Sequence, residues 1–127
     1  MSSILRFTRD HEWVKVDGAA ASVGISVHAV GELGDVIFVE LPAVGDTVAQ
    51  GGKIAVVESV KAASDVFSPV AGKVVEVNET LSDNPAMLNE DPMGEAWIAK
   101  LKIENTADLD GLMNSEQYEK YLKEASH

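Results

Sequence analysis

The 127-residue sequence predicts a mainly β fold, one sandwich or flattened barrel with a terminal helix docked on it. Three observations point there. Apolar residues recur with period two in short runs, and Gly, Pro and Asp punctuate the chain between those runs. The clearest helical pattern is confined to the C-terminal end.

Taken in order, "EWVKVDGAAASVGI" reads as strand, turn at Asp17-Gly18, strand, because Asp-Gly is a strong two-residue hairpin signal. "SVHAVGELG" reads as one short helix with Ser26 as N-cap and Gly31 or Gly34 ending it. "GDVIFVELPAVGDTV" is a strand stopped by Leu41-Pro42, followed by a turn at Gly45-Asp46. "KIAVVESV" and "SDVFSPV" form a hairpin over residues 53–70, with Lys61 at its tip. Pro69 fits a strand end or edge, where its missing N–H does no harm. "GKVVEVNETL" follows a turn at Gly72, and "EAWIAKLKI" is a further alternating run. "SEQYEKYLKEA" gives a helix over about 115–125, with Ser115 as cap, Glu116 on the N-terminal dipole and Tyr118, Tyr121 and Leu122 on one face. No low-complexity linker divides the chain, so residues 1–127 read as one domain.

Composition removes whole classes of chemistry. The absence of cysteine excludes disulfides, thiolate catalysis and cysteine-ligated zinc. A net charge of −11 with only ten Lys and Arg disfavours nucleic acid as a partner. An acidic surface suits brief encounters with basic patches on other proteins. The longest apolar runs, "VIFV" and "IAVV", are far too short to span a bilayer. The opening "MSSILRFTRDHEW" has neither a secretory nor a transit-peptide pattern. The expectation is a bacterial cytoplasmic protein, or a mitochondrial matrix protein whose presequence has been removed.

The hairpin tip "VKA" carries one long cationic side chain where Asn-Gly or Asp-Gly is usual, followed by the small residues Ala62, Ala63 and Ser64. A type I turn accepts such residues without a left-handed position. Glu58 and Asp65 flank the tip and favour the ammonium form of Lys61, which is no nucleophile, so a Schiff-base role is disfavoured. No nucleophile–base pair stands elsewhere, which argues against an enzyme. The lysine reads as an attachment point for a long, flexible group.

Four stretches, "DHEWV", "GDVIFVELP", "ESVKAASDV" and "NEDPMGEAW", with the terminal "LMNSEQYEKYL", resemble the glycine cleavage system H-protein family in order and spacing over residues 7–122. The resemblance implies a lipoyl-domain-like barrel-sandwich hybrid with a short internal helix and a C-terminal helix. It implies a non-catalytic carrier with lipoic acid in amide linkage to Lys61. Its partners would be a pyridoxal-phosphate glycine decarboxylase, a tetrahydrofolate-dependent aminomethyltransferase, a dihydrolipoyl dehydrogenase and a lipoate-attaching enzyme. The arm would shuttle the aminomethyl group of glycine among the first three. The same hairpin would also permit a lipoyl donor serving other lipoate-dependent complexes. Biotin carriers are set apart because their lysine is flanked by methionines, where this chain has Val60 and Ala62.

Glu12 and Asp65 match family positions lining a cleft that holds the loaded arm, and His28 matches a position near it. Departures occur at Val27 and Val30, where the family has an acidic residue and a glutamine, and in milder form at Met93 and Ala96. Gly31 costs the short helix about 1 kcal/mol relative to alanine. His11 beside Glu12 is rejected as a metal pair, since neighbours on a strand face opposite ways, and no metal is expected. Trp13 and Trp97 read as core or sheet-packing residues, and His127 as a frayed terminus.

Overall fold

The computed structural model describes residues 4–18 and 20–125. In chain order its strands are β1 (Ile4–Phe7), β2 (Glu12–Asp17), β3 (Ala20–Ile25), β4 (Val36–Glu40), β5 (Thr47–Val48), β6 (Lys53–Ser59), β7 (Ala63–Phe67), β8 (Gly72–Val77) and β9 (Ala99–Ile103). Four helices, α1 (Val27–Leu33), α2 (Thr80–Asp83), α3 (Met87–Glu90) and α4 (Ser115–Ala125), join a 3₁₀ turn at Thr106–Gly111. One sheet has the order β1-β2-β3-β9-β8-β5 and the other β4-β6-β7, with antiparallel pairing throughout.

Alternation places the inward residues of both sheets in a shared core. Val14 pairs with Val23, and Val74 with Leu101, all fully buried. Val39 and Val57 bring in the smaller sheet, and Leu81 and Leu88 come from α2 and α3. Burying each such side chain contributes about 1.5–3 kcal/mol. A second cluster of Phe7, Trp13 and Tyr118 fixes α4 against β1 and β2. The rings of Phe7 and Tyr118 stack at 4.2 Å, and Trp13 Nε1 donates to the Pro92 carbonyl at 3.1 Å. Gly24 lies flat under the indole, where an added Cβ would sit 2.8 Å from the ring, so only glycine fits. Trp97 packs at the edge of this cluster with the Lys100 ammonium 4.7 Å from its ring centre.

The elements differ from the sequence reading at their ends. Asp17 pairs with Ala20, so the first hairpin turns one residue later than expected, with Gly18 at φ +67° leading the loop. Gly31 is inside α1, and Gly34, at φ +77° and donating its N–H to the Val30 carbonyl, ends the helix. Ser115 is the first residue of α4 rather than its cap. Asn114 and Gln117 exchange side-chain-to-backbone hydrogen bonds at 2.8 and 2.9 Å, a reciprocal cap that makes Asn114 the boundary. The last alternating run becomes a regular strand only from Ala99; just before it, the Asn78 side-chain amide donates to the carbonyls of Glu95 and Trp97 at 2.8 Å each, and the Ile98 N–H donates to the Val23 carbonyl at 2.8 Å. Residues 80–90 form two helical turns, α2 and α3, that no periodic signal announced. Among the described residues, no helix is long and apolar enough to cross a membrane.

Candidate functional site: the Lys61 hairpin and the adjoining cleft

The tip between β6 and β7 is built from backbone hydrogen bonds. Glu58 pairs with Ala63, leaving Ser59 to Ala62 as the turn. The Ser59 N–H donates to the Ala62 carbonyl at 2.8 Å, and the buried Ser59 hydroxyl accepts from the N–H groups of Lys61 and Ala62 at 3.2 Å each. Val60 and Lys61 keep negative φ, in line with the expectation that the tip needs no left-handed residue.

A second set of bonds ties the tip to the strand beside it. The Val60 N–H donates to the Asp35 carbonyl at 3.1 Å. On α3, Asn89 grips the segment around Asp35 from both sides: its Oδ1 accepts from the Val36 N–H at 2.9 Å, and its Nδ2 donates to the Gly34 carbonyl at 2.8 Å. Lys61 itself is exposed, and its stem passes over Gly34, with Cε 3.4 Å from where a Cβ there would stand. The backbone of Lys61 is therefore held firmly while its side chain is left open.

Beside the hairpin, a cleft of about 320 Å³ opens between α1 and β7. Its walls include His11, Glu12, Glu32, Leu33, Ser64 and Asp65. The structure thus brings Glu12 and Asp65 together. Glu12 is 3% exposed; its Oε1 accepts from the Thr8 hydroxyl at 2.5 Å and its Oε2 from the Phe67 N–H at 3.2 Å. Burial pushes its carboxyl above the ordinary 4.5, and the bonds from Thr8 and Phe67 pull back only part of that rise. Asp65 is exposed and faces the Lys53 ammonium at 3.9 Å. A hollow of about 420 Å³ at Leu41, Asp46 and Lys53 lies at the other end of the hairpin, away from Lys61.

His28 does not line this cleft. It stands on α1 with its Nε2 2.5 Å from Glu32 Oε1 and its ring centre 4.5 Å from that of His11. His11 is not on a strand, so the alternation that set it opposite Glu12 does not apply. It sits in the turn before β2 at φ +71°, a left-handed conformation costing a non-glycine residue about 1–3 kcal/mol, and it shares the cleft wall with Glu12. The Tyr118 hydroxyl meets His11 Nδ1 at 2.8 Å and Ser26 Oγ at 2.7 Å. Burial lowers the His11 pKa, with the charge of His28 acting in the same direction, and burial raises that of the Tyr118 hydroxyl.

Val30 points into the core and Val27 into solvent, so neither departure from the family pattern falls on the cleft wall. Met93 packs on the aromatic cluster and Ala96 is fully buried. His127 lies outside the described residues. Ser59 and Asn89 are the contributors that the sequence reading missed. A serine two residues before the tip lysine is a readable turn signal. Asn89 offers no local signal, because its partners belong to a distant part of the chain.

Comparison with known proteins gives one consistent result. The family model described as glycine cleavage H-protein matches residues 5–125. The glycine cleavage system H protein of Xanthobacter autotrophicus is 53% identical over 122 residues, covering 96% of this chain and 97% of that relative. The one from Carboxydothermus hydrogenoformans is 52% identical over 120 residues, covering 94% and 92%. The crystal structure of a glycine cleavage system H protein from Mycobacterium marinum covers all of both chains with a TM-score of 0.84 at 34% identity. The two-sheet architecture is accordingly the mainly β, barrel-sandwich arrangement expected. With model, relatives and fold in agreement over nearly its whole length, this chain belongs to the glycine cleavage H-protein family.

Proposed function

We propose that this chain is the lipoyl carrier of the glycine cleavage system, acting as one carrier domain with Lys61 as its attachment point. The observation that carries the reading is an exposed lysine on a turn clamped by Ser59, Asp35 and Asn89, beside a cleft holding two carboxylates. Lys61 fits an amide-linked lipoyl group because it stands exposed at the tip of the hairpin. When bound, that group supplies a disulfide that accepts the aminomethyl unit and two electrons. The partners are then the decarboxylase, the aminomethyltransferase, the dihydrolipoyl dehydrogenase and a lipoate-attaching enzyme. The bacterial relatives support a cytoplasmic setting.

The chain's own residues hold, orient and shield. Glu12 and Asp65 place negative charge where a cationic amine on the arm would rest. Burial withholds a counter-charge from Glu12, and an incoming ammonium would supply it. Leu33 and Val66 line the same cleft and keep water from its apolar side.

The test is intact mass after incubation with a lipoate-attaching enzyme, followed by glycine-dependent NAD reduction with the three partners. Wild type gains one lipoyl group and supports turnover. Lys61→Arg gains none, loses essentially all turnover, and keeps its folding stability within about 0.5 kcal/mol because the site is exposed. Turnover by the arginine variant would refute the reading.

A further inference from the structure

We propose that His11, His28 and Glu32 form a binding site for a zinc-class divalent ion at the rim of the cleft. One ligand atom from each residue lies within 4.8 Å of the others. His28 and Glu32 stand four residues apart on α1 and face the same side, their Nε2 and Oε1 already 2.5 Å apart. His11 reaches them from the turn before β2, brought there by its left-handed backbone, with its carbonyl anchored by the Ser26 N–H at 2.8 Å.

A second arrangement points to a ligand rather than to chance proximity. The Tyr118 hydroxyl engages His11 Nδ1 at 2.8 Å and is itself held by Ser26 Oγ. That bond fixes the ring and leaves Nε2 free, which is how metal-binding histidines are oriented by groups behind them. Imidazole and carboxylate donors match zinc-class ions better than calcium or magnesium, which prefer all-oxygen sites. Zinc–nitrogen bonds of about 2.0–2.1 Å place neighbouring ligands roughly 3.3 Å apart, so closure asks the His28–Glu32 pair at 2.5 Å to open slightly and the group to draw in from its 4.8 Å span. Three protein ligands leave a fourth position, and because His11 and Glu32 also line the cleft, the ion would couple α1 to the β1–β2 turn at that wall. Glu12 is not part of the group.

The test is calorimetric titration of zinc chloride into the untagged full chain with Lys61 unmodified, so that no dithiol competes for the ion. One ion per chain is expected, with His28→Gln and Glu32→Gln each weakening binding at least ten-fold and Lys61→Arg leaving it unchanged. Bound zinc should also raise the melting temperature of the wild type and not of either variant. Glu32 is exposed, so Glu32→Gln decides the matter if His28→Gln fails to fold. Wild-type affinity in Glu32→Gln, or no saturable one-to-one binding by the wild type, would overturn the proposal. Because Lys61 is unmodified throughout, neither result depends on whether it is the lipoate attachment point.

Discussion

The two ends of the Lys61 hairpin are stabilised by different physics. At its base, Ile54, Ala55, Val57 and Val66 are buried in the shared core. At its tip, every residue from Val60 to Asp65 is exposed, and the turn is held by Ser59, Asp35 and Asn89 through hydrogen bonds to the backbone. Packing fixes a residue by gripping its side chain. Backbone hydrogen bonds fix the Cα and leave the side chain free, which is what an attachment lysine requires.

Two neighbours on α3 put that division to the test, since one serves the core and the other the tip. Leu88 is fully buried, and Leu88→Ala should cost about 2–5 kcal/mol in urea unfolding, lowering the midpoint for the whole chain. Asn89→Ala removes two hydrogen bonds, one part-buried and one exposed, and should cost about 0.5–1.5 kcal/mol. Its signature is local: faster amide exchange at Val36 and Val60, with Val57 unchanged. Equal costs, or faster exchange at Val57, would erase the distinction between base and tip.

The smallest effect concerns the cleft wall. Burial raises the Glu12 pKa in the folded chain, so the folded state holds that proton more tightly than the unfolded one. The resulting stabilisation is complete below the ordinary value of 4.5 and is lost as pH rises through the raised folded value. Glu12→Gln keeps an acceptor for the Phe67 N–H and a donor for Thr8 but cannot ionise. Chemical denaturation from about pH 4 to pH 7 should therefore show the variant gaining on the wild type as pH rises. A difference independent of pH would mean that the carboxylate is not penalised by its burial.

What could be read from the sequence was what is written locally. The hairpin, its lysine, the start of α1 at Ser26 and the tyrosine face of α4 all follow from period, turn residues and caps. Even the Asn114 cap was legible, because Gln117 stands three residues on, but Ser115 is also a good capping residue and drew the boundary one position late. The four-residue helices α2 and α3 are too short to show a helical period, although they supply Leu81 and Leu88 to the core. Groups that meet only in the folded chain stayed hidden. Asn89 on the 34–36 segment and His11 on His28 and Glu32 are joined by topology, and one left-handed turn residue defeated the strand alternation that had isolated His11.

Strand β7 is one of the two border strands of the smaller sheet, where an unpaired N–H invites another chain to add on and start an aggregate. Glu12 reaches over from the other sheet and accepts the Phe67 N–H, while Asp65 sets a charge on the same strand. Those two side chains blunt that edge at two positions, and removing both should show first as loss of solubility on storage.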